Sequence, residues 1–336
     1  MRIASALGLS LCLATALGCG GGRDAASKPR VSFITNCVDP FWDLAIAGAK
    51  AAGEEYGVEV LDYCPPSAAI DEQVRRVEDD LTRGVDGIAI SPLDADNMVA
   101  MIDAAAEQTH VITHDSDAPA SQRRCFIGCD NYAAGRAVGK LVKKAIPDGG
   151  EVMLFIGRLE QDNSKKRRQG VIDELLGRAP DSTRRDPNDG PISGNGYTIL
   201  GTLTDNGDTM AAQSKAEDAL TNHADLDVMV GLFAYNPPAC LAAIESQGRA
   251  GEVQVVGFDE HRATIQAILG GKVVGTVSQN PYQYGYESVR ILKGLIDGDE
   301  SVLPAGGVLR VEFAVYERDN AQELMDLLDE IQAEGK

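Results

Sequence analysis

The sequence is short of basic residues and of aromatic side chains. Its 336 residues include 31 Lys and Arg against 51 Asp and Glu, for a formal net charge of −20, and only 5% are aromatic. This charge repels phosphate backbones, and no basic stripe offsets it, so nucleic acid is excluded as a ligand. With 44% hydrophobic and 24% charged residues, the chain is otherwise an ordinary globular sequence. Its length suits about two domains.

The sequence also lacks the residue clusters typical of metal sites and of nucleophilic catalysis. The four histidines are scattered, at positions 110, 114, 223 and 261, and the seven cysteines show no zinc-ligand spacing. The pattern places no Ser–His or Cys–His pair together. We therefore predict no metal, no cofactor and no catalysis. One alternative stays open, in which two acids such as Asp115 and Asp259 act as the acid–base pair of a secreted enzyme.

No apolar run is long enough to span a membrane. The longest run lies near the start, from Ile3 to Leu17, and falls short of the roughly 18 to 20 residues that a bilayer span needs. It predicts a signal peptide over 1–18 rather than an anchor helix. The sequence Ala16-Leu17-Gly18-Cys19 resembles a bacterial lipobox, which implies a lipid on Cys19 and a flexible tether over 19–29.

This segment predicts a location in the cell envelope, on the periplasmic side, with the protein held by its lipid. Leu17 is less usual than a small residue at its position before the cleavage site. Plain secretion into the periplasm therefore remains the alternative.

Five cysteines remain after the signal peptide and Cys19 are set aside. Cys125 and Cys129 share a predicted strand, which puts them roughly 13 Å apart at about 3.3 Å per residue, too far for a disulfide. Cys37 and Cys64 end the first two predicted strands, and a bridge between them is one alternative. The other is that all five are free thiols.

From Val31 onward, short apolar runs alternate with amphipathic stretches. Apolar residues at positions 70, 74, 77 and 81 predict a helix, and unbroken runs such as Gly-Ile-Ala-Ile suit parallel strands covered on both faces. The predicted class is α/β, with too many strands for one flavodoxin-like sheet and enough for two. A polar loop spans 177–196, and a final helix covers 319–334. The predicted strands are 31–35, 58–62, 87–90, 111–114, 125–127, 152–156, 197–201, 228–232, 253–258 and 273–277.

Open parallel sheets bind ligands beyond the carboxyl ends of their strands, so candidate site residues are sought there. The first strand is followed by Asp39-Pro40-Phe41-Trp42. An acid beside two aromatics suits a sugar, because the rings cover its C–H face while the carboxylate accepts from hydroxyls. Alternatively, Asp39 caps the next helix with Pro40 at its first position, and the rings enter the core.

Other strand ends carry polar residues as well. Asp115 follows the fourth strand, where it either holds ligand hydroxyls or closes a turn. Arg167 lies in the run Lys-Lys-Arg-Arg, which usually marks a solvated helix face but could direct one guanidinium fork at a sugar. Asn236, Asp259 and Gln279 follow three later strands.

The order of these motifs resembles the type I periplasmic binding proteins, in the ribose/galactose-binding branch of ABC-transporter solute receptors. The resemblance covers residues 31–316 and rests on the order and spacing of several modest motifs. These are Asp-Pro-Phe-Trp, Arg-Gly-Val-Asp-Gly-Ile, Ile-Thr-His-Asp, Asp-Asn-Tyr-Ala-Ala-Gly, Arg-Arg-Gln-Gly, Val-Gly-Phe-Asp and Gly-Thr-Val-Ser-Gln-Asn-Pro.

The resemblance implies two doubly wound, flavodoxin-like lobes joined by a three-strand hinge, with the ligand in the cleft between them. It places 30–129 and 280–306 in the N-terminal lobe and 130–279 and 307–318 in the C-terminal lobe, followed by a helix over 319–336. The crossings would lie at Asp130-Asn131, at Gln279-Asn280 and around Gly306.

The resemblance also implies which residues contact the sugar. Ser116 stands where ribose binders often have arginine, and the acid at Asp39 looks more like hexose receptors. Gly207 stands where a stacking aromatic is expected, so Tyr235 or Tyr282 would have to supply a second ring. The positions that match the family's ligand contacts are Asp39, Phe41, Trp42, Asp115, Arg167, Asn236, Asp259 and Gln279.

The function implied is that of a monomeric solute-binding protein of an ABC importer. It would close like a clamshell on a hexose, a pentose or a close analogue and then dock on the permease. The alternative is a sugar sensor that feeds a chemoreceptor or sensor kinase without transport.

Overall fold

The structure is a computed structural model that describes residues 28–334. The predicted signal peptide, Cys19 and most of the predicted tether lie outside the described residues. No helix among residues 28–334 is long and apolar enough to cross a membrane.

The first part of the chain alternates strands and helices. Its elements are β1 (Arg30–Ile34), α1 (Pro40–Tyr56), β2 (Glu59–Tyr63), α2 (Ile70–Thr82), β3 (Gly87–Ile90), α3 (Val99–Ala106), β4 (His110–His114), β5 (Phe126–Gly128), α4 (Asn131–Ala145), β6 (Gly150–Ile156) and α5 (Asp162–Leu175).

The alternation continues to the last helix. The remaining elements are β7 (Ile192–Gly194), β8 (Tyr197–Thr204), α6 (Thr209–Asn222), β9 (Leu226–Gly231), α7 (Asn236–Ser246), β10 (Gln254–Val256), α8 (Arg262–Leu269), β11 (Gly275–Ser278), α9 (Pro281–Ile296), β12 (Val308–Arg310), β13 (Ala314–Glu317) and α10 (Ala321–Glu334).

Two sheets organise these elements into two lobes. The first sheet has the strand order β12-β5-β4-β3-β1-β2, and all its pairs are parallel. The second has the order β10-β9-β6-β8-β7, parallel except for the pair of β7 with β8. Strand β3, with sequence Gly-Ile-Ala-Ile, is buried along its whole length, as a parallel strand covered by helices on both faces should be. The predicted two-lobed α/β fold is confirmed.

A two-stranded antiparallel pair, β11 with β13, extends the second sheet. Val274 N donates to Val255 O at 2.9 Å, and Gly257 N donates to Gly275 O at 2.8 Å, so β11 runs beside β10. The ten predicted strands correspond to β1–β6 and β8–β11. Three short strands were not predicted, because β7, β12 and β13 have only three or four residues and carry no fully buried run.

The chain passes between the lobes three times. It crosses between β5 and α4, between β11 and α9, and between β12 and β13. The sequence analysis predicted the third crossing near Gly306, and the structure corrects that position. Because β12 pairs with β5 in the first sheet, the crossing lies at 311–313, and the C-terminal lobe does not resume at 307.

Close packing of two helices positions the second lobe's arginine. A Cβ atom on Gly135 in α4 would lie 2.0 Å from the carbonyl oxygen of Arg167 in α5, so only glycine permits this approach. The approach brings α5 against the start of α4, where Asn131 faces the Arg167 side chain.

The five cysteines in the described part of the chain, Cys37, Cys64, Cys125, Cys129 and Cys240, are free thiols. The bridge considered between Cys37 and Cys64 is therefore absent, and the alternative of free thiols is the one observed.

Candidate ligand-binding site

A cavity lies between the two lobes, beyond the carboxyl ends of the strands. Together with its open mouth it spans about 330 Å³. Seven of the eight predicted site residues line it, and Asn236 does not. The lining residues are Asn36, Cys37, Asp39, Phe41, Trp42, Asp115, Asn163, Arg167, Phe233, Ala234, Tyr235, Asp259 and Gln279.

Asp39 both caps a helix and faces the cavity. Its Oδ1 accepts a hydrogen bond from Phe41 N at 2.8 Å, which caps α1, and Pro40 begins that helix. Within residues 28–334 its Oδ2 has no hydrogen-bond partner. Burial raises the pKa of Asp39 to about 6, with the Phe41 amide opposing the rise and the charge of Asp43 adding to it. The interpretation of Asp39 as a helix cap is confirmed, and the same carboxylate also lines the cavity.

Phe41 and Trp42 form an apolar wall of the cavity that is also part of the core. Trp42 is 2% exposed, and its Nε1 donates to Asn36 Oδ1 at 3.1 Å. The rings of Phe41 and His114 meet the Trp42 ring edge to face, at centroid distances of 4.9 and 5.6 Å. These contacts fix the tryptophan plane, and a fixed aromatic face suits the C–H surface of a sugar ring.

Asp115 links the lobes from a left-handed backbone conformation, with φ of 58°. Its Oδ2 accepts from Ser91 Oγ in the first lobe and from Asn163 Nδ2 in the second, both at 3.0 Å. Its Oδ1 has no hydrogen-bond partner among the described residues. Burial raises the pKa of Asp115, while the Arg167 charge and the two side-chain hydrogen bonds oppose the rise.

Arg167 is buried at the cavity wall, with an exposed fraction of 1%. Its Nε and Nη2 donate to Asn131 Oδ1 at 3.1 and 2.8 Å, and its Nη1 donates to Leu232 O at 2.6 Å. Its guanidinium also lies over the Phe258 ring, 3.8 Å from the centroid. Since a guanidinium carries five N–H groups, one on Nη1 and one on Nη2 remain for a ligand.

The neighbouring arginine has a different role. Arg168 donates from Nε to Thr202 Oγ1 at 2.7 Å and from Nη1 to Asp186 O at 3.0 Å, which holds the polar loop that precedes β7. Of the two arginines, only Arg167 lines the cavity.

Asp259 and Gln279 form a pair at the hinge side of the cavity. Gln279 Nε2 donates to Asp259 Oδ1 at 2.6 Å, and Gln279 Oε1 accepts from Tyr284 Oη at 3.3 Å, so both ends of the amide are held. Burial raises the pKa of Asp259 well above its usual range. The Arg167 charge opposes this, and the Glu260 charge adds to it. Asp259 Oδ2 has no hydrogen-bond partner in residues 28–334.

Asn236 supports the site without lining it. Its Nδ2 donates to Asp205 Oδ2 at 2.9 Å, and its Oδ1 accepts from Phe233 N at 3.0 Å. Its amide is thereby occupied in holding the turn after β9. The same Asp205 accepts from Tyr235 Oη at 2.5 Å, which fixes a second ring in the cavity wall. Of the two tyrosines considered for a second ring, Tyr235 lines this cavity.

The sequence analysis missed five lining residues. Asn36 and Cys37 follow β1, where the search for polar residues beyond each strand could have found them, and Asn163 lies in the first turn of α5. Phe233 and Ala234 continue the apolar run of β9, so nothing in their pattern separates them from the core.

The cavity combines groups that recognise a small polyhydroxylated molecule. It offers carboxylates with one oxygen open, one guanidinium fork, amides and aromatic rings, all in one enclosed space. No group of three or more His, Cys, Asp or Glu side chains that could hold a metal ion is found among the described residues.

Most of the chain matches one known protein family. Residues 32–300 match the family described as periplasmic binding protein domain. The chain is similar to the ribose import binding protein of Escherichia coli, with 25% identity over 302 residues that span 87% of this chain and 93% of the relative.

Solved structures show the same similarity. An ABC transporter solute-binding protein from Burkholderia graminis, in complex with D-arabinose, matches with a TM-score of 0.78 and 27% identity, covering 87% of this chain and 96% of that one. The glucose-galactose binding protein GanP from Geobacillus stearothermophilus matches with a TM-score of 0.77 and 26% identity, covering 88% and 99%.

We predict that Asp39→Asn stabilises the unliganded protein. The pKa of Asp39 is higher in the folded protein than in the unfolded chain, so the charged carboxylate destabilises the folded state. The free energy of unfolding therefore falls as the pH rises from about 4 through about 6. Asn keeps the helix cap without the charge. The free energy of unfolding should rise by about 1 to 3 kcal/mol at pH 8 and by less than about 1 kcal/mol at pH 4, measured by urea denaturation.

Asp208 provides the matched control, because it caps α6 in the same way from an exposed position. Asp208→Asn should change stability by only a few tenths of a kcal/mol at both pH values. A gain for Asp39→Asn that is equal at pH 4 and pH 8 would contradict the buried-charge interpretation.

Proposed function

The chain belongs to the periplasmic binding protein family, and we propose that it is the solute-binding protein of an ABC importer for a monosaccharide. The resemblance drawn from the motifs is confirmed by the family match. The named relatives bind ribose, D-arabinose or glucose and galactose, and the ribose relative serves import. They favour import over the sensor alternative. Membership of this family implies a periplasmic or envelope location.

The observation that carries the proposal is the set of unused polar groups in one interlobe cavity. Asp39, Asp115 and Asp259 each keep one oxygen without a hydrogen bond, and Arg167 keeps two N–H groups. Trp42 supplies an aromatic face beside them. A hexose or pentose pairs its hydroxyls with these acceptors and donors and its C–H face with the ring. We propose seven contact residues from the predicted set, with Asn236 as a positioning residue.

Binding is proposed to proceed by closure of the two lobes. Four hydrogen bonds join the lobes around the cavity. They are Asn163 Nδ2 to Asp115 Oδ2 at 3.0 Å, Ala95 N to Glu160 O at 3.3 Å, Arg158 Nη2 to Ala68 O at 2.7 Å, and Lys165 Nζ to Asp96 Oδ2 at 3.2 Å. Opening would break all four. A ligand that contacts both lobes therefore shifts the protein from an open to a closed ensemble.

We propose binding without chemistry at this site. The lining contains no His and no Ser, and its one thiol, Cys37, has a pKa raised by burial, with the nearby Asp39 charge adding to the rise. A protonated thiol is a poor nucleophile. This argues against nucleophilic catalysis by a Ser–His or Cys–His pair in this cavity.

The purified protein should bind one or more monosaccharides in a thermal-shift and calorimetric screen of D-ribose, D-allose, D-arabinose, D-glucose and D-galactose. A sugar at 100 times its Kd adds about 2.7 kcal/mol of stability, which raises the melting temperature by several degrees. Trp42 is the only tryptophan in the sequence, so its fluorescence reports binding directly. Asp259→Ala should weaken the sugar that binds by at least about tenfold, because it removes a buried charged acceptor.

Asp208→Ala is the matched control, since it removes an exposed aspartate in the same lobe and should leave the sugar Kd unchanged. Amino acids are screened in parallel, and a response to amino acids alone would keep the fold and reject the sugar. Absence of any response would reject the proposed function.

The interlobe hydrogen bond from Arg158 generates a second prediction. Its Nη2 also donates to Asn206 O at 3.0 Å within the second lobe, so the guanidinium fastens Ala68 of the first lobe to that loop. Arg158 does not line the ligand cavity. Arg158→Ala should therefore raise the sugar Kd several-fold through the open–closed equilibrium, measured by calorimetry.

Arg75→Ala is the control for this substitution, because Arg75 is exposed and pairs with Asp71 on its own helix. An unchanged sugar Kd in Arg158→Ala would show that this contact does not contribute to closure.

We also propose that the mature protein is a monomer held to the membrane by a lipid on Cys19. The sequence Ala16-Leu17-Gly18-Cys19 supports the lipid, and a cavity built from one chain supports the monomer. Mass spectrometry of the membrane-extracted protein should find a mature N-terminus at Cys19 with added acyl mass. Cys19→Ser should release a soluble single chain on sedimentation. An unmodified N-terminus at another residue would favour plain secretion instead.

A further inference from the structure

A second cavity lies on the hinge side of the molecule, away from the ligand-binding site. It encloses about 450 Å³ including its mouth, between the C-terminal helix α10 and the second and third crossings. Leu324, Leu328 and Ile331 of α10 form its apolar wall, and Leu44 of α1 adds to it from the first lobe. We call this space the hinge cavity.

A carboxylate in the wall of the hinge cavity is only partly paired. Glu260 is 7% exposed. Its Oε1 accepts from Ser278 Oγ and from Asn280 N, the latter at 2.9 Å. Its Oε2 is buried and has no hydrogen-bond partner among the described residues. A buried carboxylate oxygen without a donor is costly, and it marks a place where a donor would be bound strongly.

The charges around the hinge cavity have one sign. Glu260 and the exposed Glu312 are its charged lining residues, and neither Lys nor Arg lines it. Burial raises the pKa of Glu260, while its hydrogen bonds from Ser278 and the backbone oppose the rise, so no cation of the protein offsets the burial. The complementary ligand has a positive charge with N–H donors and an apolar body.

We propose that the hinge cavity binds a small amphiphilic ammonium compound, with its apolar body against α10 and its ammonium group paired with the Glu260 carboxylate. Both halves of the ligand are required by this geometry. The leucines of α10 offer no polar partner, and the carboxylate offers no apolar contact. An aliphatic carboxylate of the same size would be repelled by Glu260. An aliphatic alcohol would offer one O–H donor but no positive charge.

The walls of the hinge cavity come from both lobes and from a crossing between them. Leu44 belongs to the first lobe, Glu260 and Ser278 belong to the second, and Glu312 lies in the third crossing. A ligand that fits this arrangement therefore favours the closed lobes. By linkage, this ligand tightens sugar binding by the same factor by which the sugar tightens binding of the ligand. This coupling rests on the proposed function, whereas the site itself does not.

The test uses n-hexylammonium as the probe, with 1-hexanol and hexanoate as isosteres, in calorimetry of the purified protein at physiological salt. Hexylammonium should bind at least about tenfold more tightly than either isostere, because only hexylammonium brings a positive charge to the carboxylate. Glu260→Gln should raise the hexylammonium Kd by about tenfold. Asp326→Asn, which removes an exposed charge from α10, should leave that Kd unchanged.

A second variant keeps the proposal testable if Glu260→Gln does not fold. Ala314 lines the hinge cavity from an exposed position, so Ala314→Phe should fill the cavity and abolish hexylammonium binding. Equal binding of the three probes, or hexylammonium binding unchanged in both variants, would overturn the site. Sugar titrations in the same preparations separate the two proposals. Tight sugar binding with no hexylammonium response would reject the hinge cavity alone, and an unchanged sugar Kd in saturating hexylammonium would reject the coupling.

Discussion

The buried guanidinium of Arg167 is the interaction on which the ligand-binding cavity depends. Asp115 and Asp259 are nearly fully buried on opposite lobes, and each has a pKa raised by burial and held back by the Arg167 charge. Without that cation, two carboxylates would stand uncompensated in a low-dielectric space. Arg167 is itself held by Asn131 and by the Leu232 carbonyl, so its charge cannot move away to solvent.

The position of Arg167 in turn depends on backbone packing. Helices α4 and α5 approach so closely at Gly135 that a methyl group there would collide with the arginine's own carbonyl oxygen. Asp39 illustrates the opposite situation. No cation contacts it among the described residues, its pKa rises to about 6, and it still caps α1. A cavity lined in this way thus retains an electrostatic cost in the unliganded protein, and in the proposed function a bound sugar relieves that cost by donating to the carboxylates.

Both cavities are lined by residues at the hinge. The crossings between β5 and α4, β11 and α9, and β12 and β13 connect lobes that otherwise meet through a few hydrogen bonds, such as those of Arg158 and Asn163. One cavity lies in the cleft between the lobes, and the other lies behind it under α10. Asp259 and Glu260 are adjacent in sequence and line these two cavities separately. In the proposed coupling, this short segment joins the two cavities.

The sequence by itself determined the two-lobed α/β class, ten of the strands and most of the cavity residues, because apolar periodicity and the carboxyl ends of parallel strands are local features. Tertiary structure alone decided the rest. The third crossing lies at 311–313 rather than near Gly306, because β12 pairs with β5, a contact between distant segments. Asn236 turned away because Asp205 offers it a partner, and Phe233 entered the cavity although it continues a core strand. These features depend on contacts between residues that are distant in sequence. Residue spacing along the chain does not reveal such contacts.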